Sequence, residues 1–423
     1  MREKIIRDPV HDVIALRIDT PSEALLFDLL NAREFQRLRR IHQLGIASLA
    51  YPGADHSRYS HCLGVMETAR RMLDRLGQSI TIHDEDRTAC LAAALLHDLG
   101  HGPFSHVFER ISGIEHESVT RQILLDEQTQ VHQILRKYDP SLPGRVEQML
   151  YCPPERRTFL HDVICSQLDA DRFDYLLRDN LMTGSRYGHF DLEWLLQHLT
   201  VESNRLAVTA KGVNAIETYL QGRYHMYRNV YFHKTVRSAE GMVKLVLQRA
   251  KRLALQERLD WPLPEEPVHK ALVGRQLSTL EFIELDDIST LHCFKRWSHD
   301  DDATLASLCR GLLFRSLFKS VDLTRFDAQQ VADFRNAAAR AIDDSGGESA
   351  YEMFYDEPAD TPYDDPDVGS EILIRDVSGK LTEFSTLSPI SEALNRQLMF
   401  RRLHFAEEHR PAILRLLREA TSG

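Results

Sequence analysis

The spacing of apolar and polar positions predicts a largely helical chain. From Arg58 to Leu76, Cys62, Met66, Ala69, Leu73 and Leu76 recur at three- and four-residue steps, and Gly77 stands where a helix stops. Leu91–Leu96 is apolar on every face, which predicts a helix buried in the core, with Asp84 as its N-cap. His97 and Asp98 end it, and Gly100, Gly102 and Pro103 break the regularity. Further helices are expected over about 22–30, opened by Pro21, and over about 32–41, 103–111, 162–180 and 214–234, with another beginning at His116. Lys4–Ile18 has the strand-forming residues and the Asp8-Pro9 turn of a short strand pair.

Beyond Asp260 the pattern changes. Pro262, Pro264 and Pro267 with acidic neighbours mark a boundary, so a helical part over 1–260 and an α+β part over 261–423 are expected. The second part should hold helices near 303–317 and 327–343, the latter opened by an Asp327/Gln330 capping box, with a strand at Val321–Leu323 between them. An acidic loop over 343–370 includes a strand near Tyr351–Tyr355. A hairpin over 371–384 turns at Ser378-Gly379, and a last helix starts at Pro411. No internal repeat is present.

Composition narrows the function. At 423 residues and 43% hydrophobic, the chain can bury a large core. A net charge of −11 argues against a general nucleic-acid surface, although Arg33, Arg37, Arg39 and Arg40 suit a small polyanion. Six scattered cysteines without a CxxC pair fit a reducing compartment. The first residues lack a signal-peptide core, and no apolar run reaches the ~20 residues of a membrane span, so a cytoplasmic location is expected.

The candidate chemistry lies at the end of the buried helix. His97, Asp98, His101 and His106 follow one another within ten residues. Ionisable groups there are costly unless paired, and a metal ion pairs them well. Arg58 and His61 share a helix face three residues apart, and Asp171, Tyr175 and Asp179 form a line at i, i+4 and i+8. Arg223, Tyr227 and Tyr231 form another such line, with Lys234 close beyond it. If His61, His97, Asp98 and Asp171 converge, two imidazoles and two carboxylates make an N/O shell for Mn²⁺, Fe²⁺, Mg²⁺, Ni²⁺ or Zn²⁺. Such a site points to hydrolysis of a phosphate ester.

These residues resemble the HD-domain metallophosphohydrolase superfamily, with its H…HD…D signature. Arg58-x-x-His61, HDLGHGPFSH at 97–106, His116-Glu117 and DADRFDYLLRD at 169–179 are similar to the deoxynucleoside triphosphate triphosphohydrolases, a group that includes the vertebrate SAM- and HD-domain-containing enzyme and bacterial relatives. FQRLRRIHQLG at 35–45 and YPGADHSRYSH at 51–61 extend the likeness.

The resemblance implies a mainly α fold, an HD-domain helical bundle with a smaller α+β C-terminal region. It implies hydrolysis of a deoxynucleoside triphosphate to deoxynucleoside and triphosphate, by water attack at the α-phosphate. His61, His97, Asp98 and Asp171 would hold one divalent metal ion, with additional Mg²⁺ accompanying the triphosphate. His106 would be the general acid, supported by Glu109, while His101 and His116 contact phosphate or assist proton transfer. Arg58, Arg172 and Tyr175 would bind phosphate, and Arg223 its γ end. Gln43 and Asp179 would read the 3′-hydroxyl, and Leu44 and Tyr231 would crowd the 2′ position. A homo-oligomer is implied as well.

Two other readings use the same residues. One is an HD-type nucleotidase or phosphodiesterase for another phosphoester, with His101 and His116 as further ligands. The other is a non-catalytic nucleotide sensor. In all enzymatic readings His97→Ala is expected to abolish turnover and bound metal together, read by phosphate-release assay and metal analysis. A His97→Ala variant with full activity contradicts the site assignment.

Overall fold

The computed structural model describes residues 2–363 and 371–422, apart from the side chains of His106, Glu392 and Ser422. Strands β1 (Glu3–Asp8) and β2 (Asp12–Arg17) form the expected hairpin, with Ile6 opposite Ile14. Ile14 and Leu16 are buried while Ile5 and Val13 face outward, as period-two alternation requires. Helix α1 (Pro21–Asn31) begins on its proline. The helix expected over 32–41 is shorter: α2 (Arg33–Arg37) tightens into a 3₁₀ turn at Leu38–Arg40, and Ile41 is already extended.

Three helices build the centre. In α3 (Arg58–Leu76) the predicted stripe is buried, and Gly77 caps it with right-handed backbone. In α4 (Asp84–Leu96) every residue from Thr88 to Leu96 is buried. Its cap is His83 rather than Asp84, which joins Glu85 and Asp86 in the first turn, where the helix dipole favours acids. The chain then forms α5 (His106–Ser112), α6 (His116–Leu125), α7 (Gln130–Tyr138), α8 (Leu142–Leu150) and α9 (Phe159–Ile164). The single helix expected over 162–180 is broken in two. Asp169 accepts hydrogen bonds from the backbone N–H groups of Ser166 and Arg172, which ends the α9 segment and caps α10 (Ala170–Thr183). Helix α10 packs along α3, and α3 along α4.

After α11 (Leu192–Gln197) come strands β3 (Leu199–Glu202) and β4 (Arg205–Thr209), then α12 (Val213–Met226). The helix expected to run to Lys234 changes at Tyr227–Tyr231 to a wider π turn, and an extended His233 separates it from the long α13 (Lys234–Leu255). Helices α14 (Pro267–Leu272), α15 (Thr279–Phe282), α16 (Asp287–Trp297) and α17 (Ala303–Leu313) bury Val268, Phe294, Trp297 and Leu308 in the same core as Ile14 and Leu91.

A smaller core follows. Strand β5 (Lys319–Asp322), helix α18 (Ala328–Asp344) with its Asp327/Gln330 capping box, α19 (Ser349–Glu352), β6 (Met353–Asp356) and β7 (Ala359–Asp360) lead to residue 363. The expected 343–370 loop is thus partly regular, and its residues 364–370 lie outside the described ones. The expected hairpin is β8 (Leu373–Arg375) and β9 (Leu381–Glu383); β8 pairs in parallel with β4, extending β3–β4 to four strands. After α20 (Ser391–Leu394) and β10 (Leu398–Met399), β11 (Arg402–Phe405) lies between β5 and β6, and α21 (Arg410–Ser422) packs with α18. Val321, Phe334, Leu403, Phe405 and Ile413 fill this second core.

Gly64 lets α3 approach α10. A Cβ there would lie 1.9 Å from Asp174 Oδ1 and 2.3 Å from Arg178 Nη2. Gly64→Ala is therefore expected to cost about 1–3 kcal/mol, as overpacking of a filled interior does. Denaturant unfolding checks this, and an unchanged midpoint would refute the packing described.

Candidate metal centre

The ends of α3, α4 and α10 meet in the main core. The first turn of α3 supplies Arg58 and His61, the C-terminus of α4 supplies His97 and Asp98, and the first turn of α10 supplies Asp171. One ligand atom each from His61, His97 and Asp98 lies within 4.8 Å of the others. Asp171 Oδ1 is 2.9 Å from His61 Nε2 and 3.6 Å from His97 Nε2, and Asp98 Oδ1 is 3.5 Å from His97 Nε2. The four residues that the pattern of the sequence suggested are brought together.

The ring orientations fit a cation. His61 Nδ1 donates to Asp174 Oδ2 at 2.8 Å, and His97 Nδ1 donates to the Ala94 carbonyl at 2.9 Å. With Nδ1 engaged, each Nε2 faces the shared centre, as outer acceptors arrange for ligand imidazoles. Both Nε2 atoms are buried without a well-aligned hydrogen bond among the described residues. Even the 2.9 Å approach of His61 to Asp171 is off the hydrogen-bonding line. Buried polar atoms left in this way are rare unless an ion or water serves them.

Electrostatics agree. Burial alone drives His61 down, but Asp171 and Asp174 outweigh it and raise the imidazole to about 10. His97 is likewise raised by Asp98 and Asp171 against its burial. Burial pushes Asp98 up, yet Arg58, His97 and His101 hold it well below the carboxylate range. Asp171 is lowered against its burial by His61 and His97. His101 is held well below the usual imidazole range by burial and by Arg58.

A cavity of about 430 Å³ opens on this group. Its wall includes Gln43, Leu44, Arg58, His101, His116, Tyr175, Asp179 and Tyr231. Arg58 contacts Asp98 through Nη1 and donates to Ser105 Oγ from Nε at 3.2 Å and from Nη2 at 2.8 Å. The His101 and His116 rings stack with centroids 4.1 Å apart, and His116 Nδ1 is 3.1 Å from Glu109 Oε2. Tyr231 donates to Asp179 Oδ2 and His56 Nε2 to Asp179 Oδ1, each at 2.7 Å. Gln43 Oε1 is buried and has no hydrogen-bond partner among the described residues.

Not every expected residue reaches the cavity. Arg172 and Arg223 are absent from its wall. Arg172 Nε is 3.3 Å from Asp169, and Arg223 Nη2 is 3.4 Å from Asp360. Glu109 stands behind His116, also off the wall. The His106 side chain lies outside the described residues. Conversely, Arg110, Arg237 and Glu240 line the wall, His56 holds Asp179, and Asp174 orients His61. Sequence reasoning missed these five. Asp174, three residues after Asp171, was the detectable one; a lone His56 in a loop carries no signal of its partner.

Comparison with known proteins agrees with this geometry. Residues 58–142 match the HD domain family and residues 190–259 match the HD associated region. The chain belongs to the HD-domain phosphohydrolase family. It is 38% identical over 400 residues to the uncharacterized protein YwfO of Bacillus subtilis, covering 93% of this chain and 89% of that one. Human SAMHD1, a deoxynucleoside triphosphate triphosphohydrolase, is 29% identical over 278 residues, 57% of this chain and 43% of that one. The crystal structure of a phosphohydrolase from Bacteroides thetaiotaomicron superposes with a TM-score of 0.82 at 30% identity, covering 96% of this chain and all of the other. No helix among the described residues is long and apolar enough to cross a membrane.

Protons compete with a cation for this site, because ligand imidazoles must be deprotonated. With His61 raised to about 10, its proton must leave on binding throughout the neutral range. Mn²⁺ affinity is expected to rise at least about tenfold per pH unit from about pH 6 to 9, more steeply at the acid end where His97 also loses a proton. Competition with a chromophoric chelator measures it, and a pH-independent affinity contradicts the ligand assignment.

Proposed function

We propose that the protein hydrolyses deoxynucleoside triphosphates to deoxynucleoside and triphosphate, with water attacking the α-phosphate. The observation that carries this reading is the convergence of His61, His97, Asp98 and Asp171, of which His61, Asp98 and Asp171 line a cavity that also presents Gln43, Tyr175, Asp179 and Tyr231, with His97 just behind them. Similarity to human SAMHD1 supports the substrate class. His61, His97, Asp98 and Asp171 would hold one divalent cation, and their N/O donor set suits Mn²⁺, Fe²⁺, Mg²⁺, Ni²⁺ or Zn²⁺. Such an ion, when bound, supplies Lewis acidity to a phosphate oxygen and makes water a stronger nucleophile.

The remaining work falls to this chain's side chains. Arg58, anchored by Asp98 and Ser105, places fixed positive charge beside the α-phosphate. Tyr175 faces the same space with its hydroxyl as a phosphate donor. Arg172 and Arg223, behind the wall, contribute positive potential to the triphosphate without touching it in this arrangement. The Asp179 carboxylate, held by His56 and Tyr231, accepts the hydrogen bond of the sugar's 3′-hydroxyl, and the Gln43 amide group donates to the oxygen of that hydroxyl. Leu44 and the Tyr231 ring fill the volume a 2′-hydroxyl needs.

In the reaction the water oxygen bonds to the α-phosphorus, the bond from phosphorus to the 5′ oxygen breaks, and that oxygen takes a proton. His106, at the first turn of α5, is the proposed donor. Glu109 and His116 form a hydrogen-bonded pair proposed to support that transfer, and His101, kept neutral, stacks on His116.

The test is a product profile from a panel of deoxynucleoside triphosphates, ribonucleoside triphosphates, monophosphates and cyclic nucleotides with Mn²⁺. Inorganic triphosphate from deoxynucleotides, with ribonucleotides hydrolysed more slowly, is expected. Monophosphate with pyrophosphate, or no turnover, would overturn the proposal. The stacked His101 and His116 beside Asp98 favour one second reading, a binuclear phosphodiesterase, and cyclic-nucleotide turnover with two metals per chain would establish it instead.

A further inference from the structure

Asp174 serves more than His61. Its Oδ1 accepts a hydrogen bond from His11 Nε2 at 2.8 Å, while its Oδ2 takes the His61 Nδ1 proton. Arg178 grips both oxygens, Nε to Oδ2 at 2.8 Å and Nη2 to Oδ1 at 2.9 Å. The same guanidinium reaches Asp8, from Nη1 at 2.8 Å and from Nη2 at 3.2 Å. The side chains of Asp8, His11, Asp174 and Arg178 are 0–3% exposed.

Asp8 and His11 sit at the tip of the β1–β2 hairpin, some 160 positions before Asp174. Asp8 Oδ1 also accepts the backbone N–H groups of Val10 and His11, at 2.9 and 3.0 Å, so the carboxylate that meets Arg178 also shapes the turn that aims the His11 ring. Neither residue lines the cavity. A carboxylate held by a single partner can swivel about its last torsion. Four donor atoms from Arg178, His11 and His61 leave Asp174 one orientation, and that orientation fixes the imidazole plane of His61.

We infer that the tip of the amino-terminal hairpin positions the metal ligand His61, with His11 and the Asp8–Arg178 pair clamping Asp174 so that His61 Nε2 faces the centre. This inference rests on the metal-site reading above. His11 and Asp8 are positioning residues, since they touch neither the substrate cavity nor the ligand atoms. Outer partners of ligand histidines typically govern metal affinity by 10- to 100-fold.

The experiment compares the full-length protein with His11→Ala, His11→Gln and Asp8→Asn. Mn²⁺ affinity is read by chelator competition, ligand geometry by the visible absorption of the Co²⁺-loaded protein, and folding by thermal melting. His11→Ala is expected to bind Mn²⁺ about 10- to 100-fold more weakly, to shift the Co²⁺ bands, and to lower kcat with nucleotide KM little changed. His11→Gln, which can still donate to Asp174, is expected to restore most of the affinity. Asp8→Asn keeps the shape of the turn and should show the same spectral shift even if His11→Ala fails to fold. Wild-type affinity and an unchanged Co²⁺ spectrum in the folded variants, whatever their melting temperatures, overturn the inference and leave the metal site standing. Absence of Mn²⁺ and Co²⁺ binding by the wild-type protein removes the metal-site reading and this inference together.

Discussion

Burying charge in an apolar helical core forces every charged group there to find a partner, and the centre of this protein is arranged by that requirement. His61, His97, Asp98 and Asp171 lie where α3, α4 and α10 converge, on helices whose other residues, such as Cys62, Leu95 and Phe173, are buried in the core, and only Asp171 is substantially exposed, toward the cavity. Unpaired, such groups would cost several kcal/mol each. They are therefore met by alternating charge: Arg58 on Asp98, Asp174 on His61, Arg178 on Asp174, and Asp8 on Arg178. Around this chain of pairs the helices have little freedom to shift. Gly64, opposite Asp174 and Arg178, is the local concession that lets α3 and α10 come close enough.

The cavity carries the same order outward. Its wall combines ionisable groups, among them His101 and His116, with the aromatic rings of Tyr175, Tyr227, Tyr231 and Phe232. Tyr227 and Tyr231 come from the π turn between α12 and α13, and Tyr175 comes from α10. A lining that mixes charged and aromatic groups suits a ligand with a polyanionic part and a flat, less polar part. The nucleotide substrate proposed for this family member has that shape. The likeness to YwfO extends over 93% of the chain, so the C-terminal sheets belong to the shared architecture and not to an unrelated appendage. Strand β8 joins β4 in parallel and ties that region to the helical part.

Much of this was legible without coordinates. Helix α3 and the buried α4 follow from spacing alone, because a 3.6-residue period and an unbroken apolar run have few alternative structures. The hairpins at 3–17 and 371–384 follow from their turn residues. The two longest helices that differ from expectation differ in one way. The helix expected over 162–180 is interrupted by the cap at Asp169, and the one over 214–234 by the π turn. In both places apolar spacing continues through a local break, so periodicity cannot see it. The proline-rich change near 260 marks a local break between helices, and it says nothing about which core the following helices join; Phe294 and Trp297 join the first.

The amino-acid sequence alone determined which residue types were available for chemistry and on which helices they would lie, since those depend on local spacing and side-chain type. Only the tertiary structure decided which of them meet. Asp171 comes within 2.9 Å of His61 across 110 positions of chain, whereas Arg172 and Arg223 are turned to Asp169 and Asp360. His11, His56 and Asp174 acquire their parts solely from the partners that packing sets against them. Pairing between buried charges depends on distance and desolvation, and neither quantity exists until the helices have been packed together.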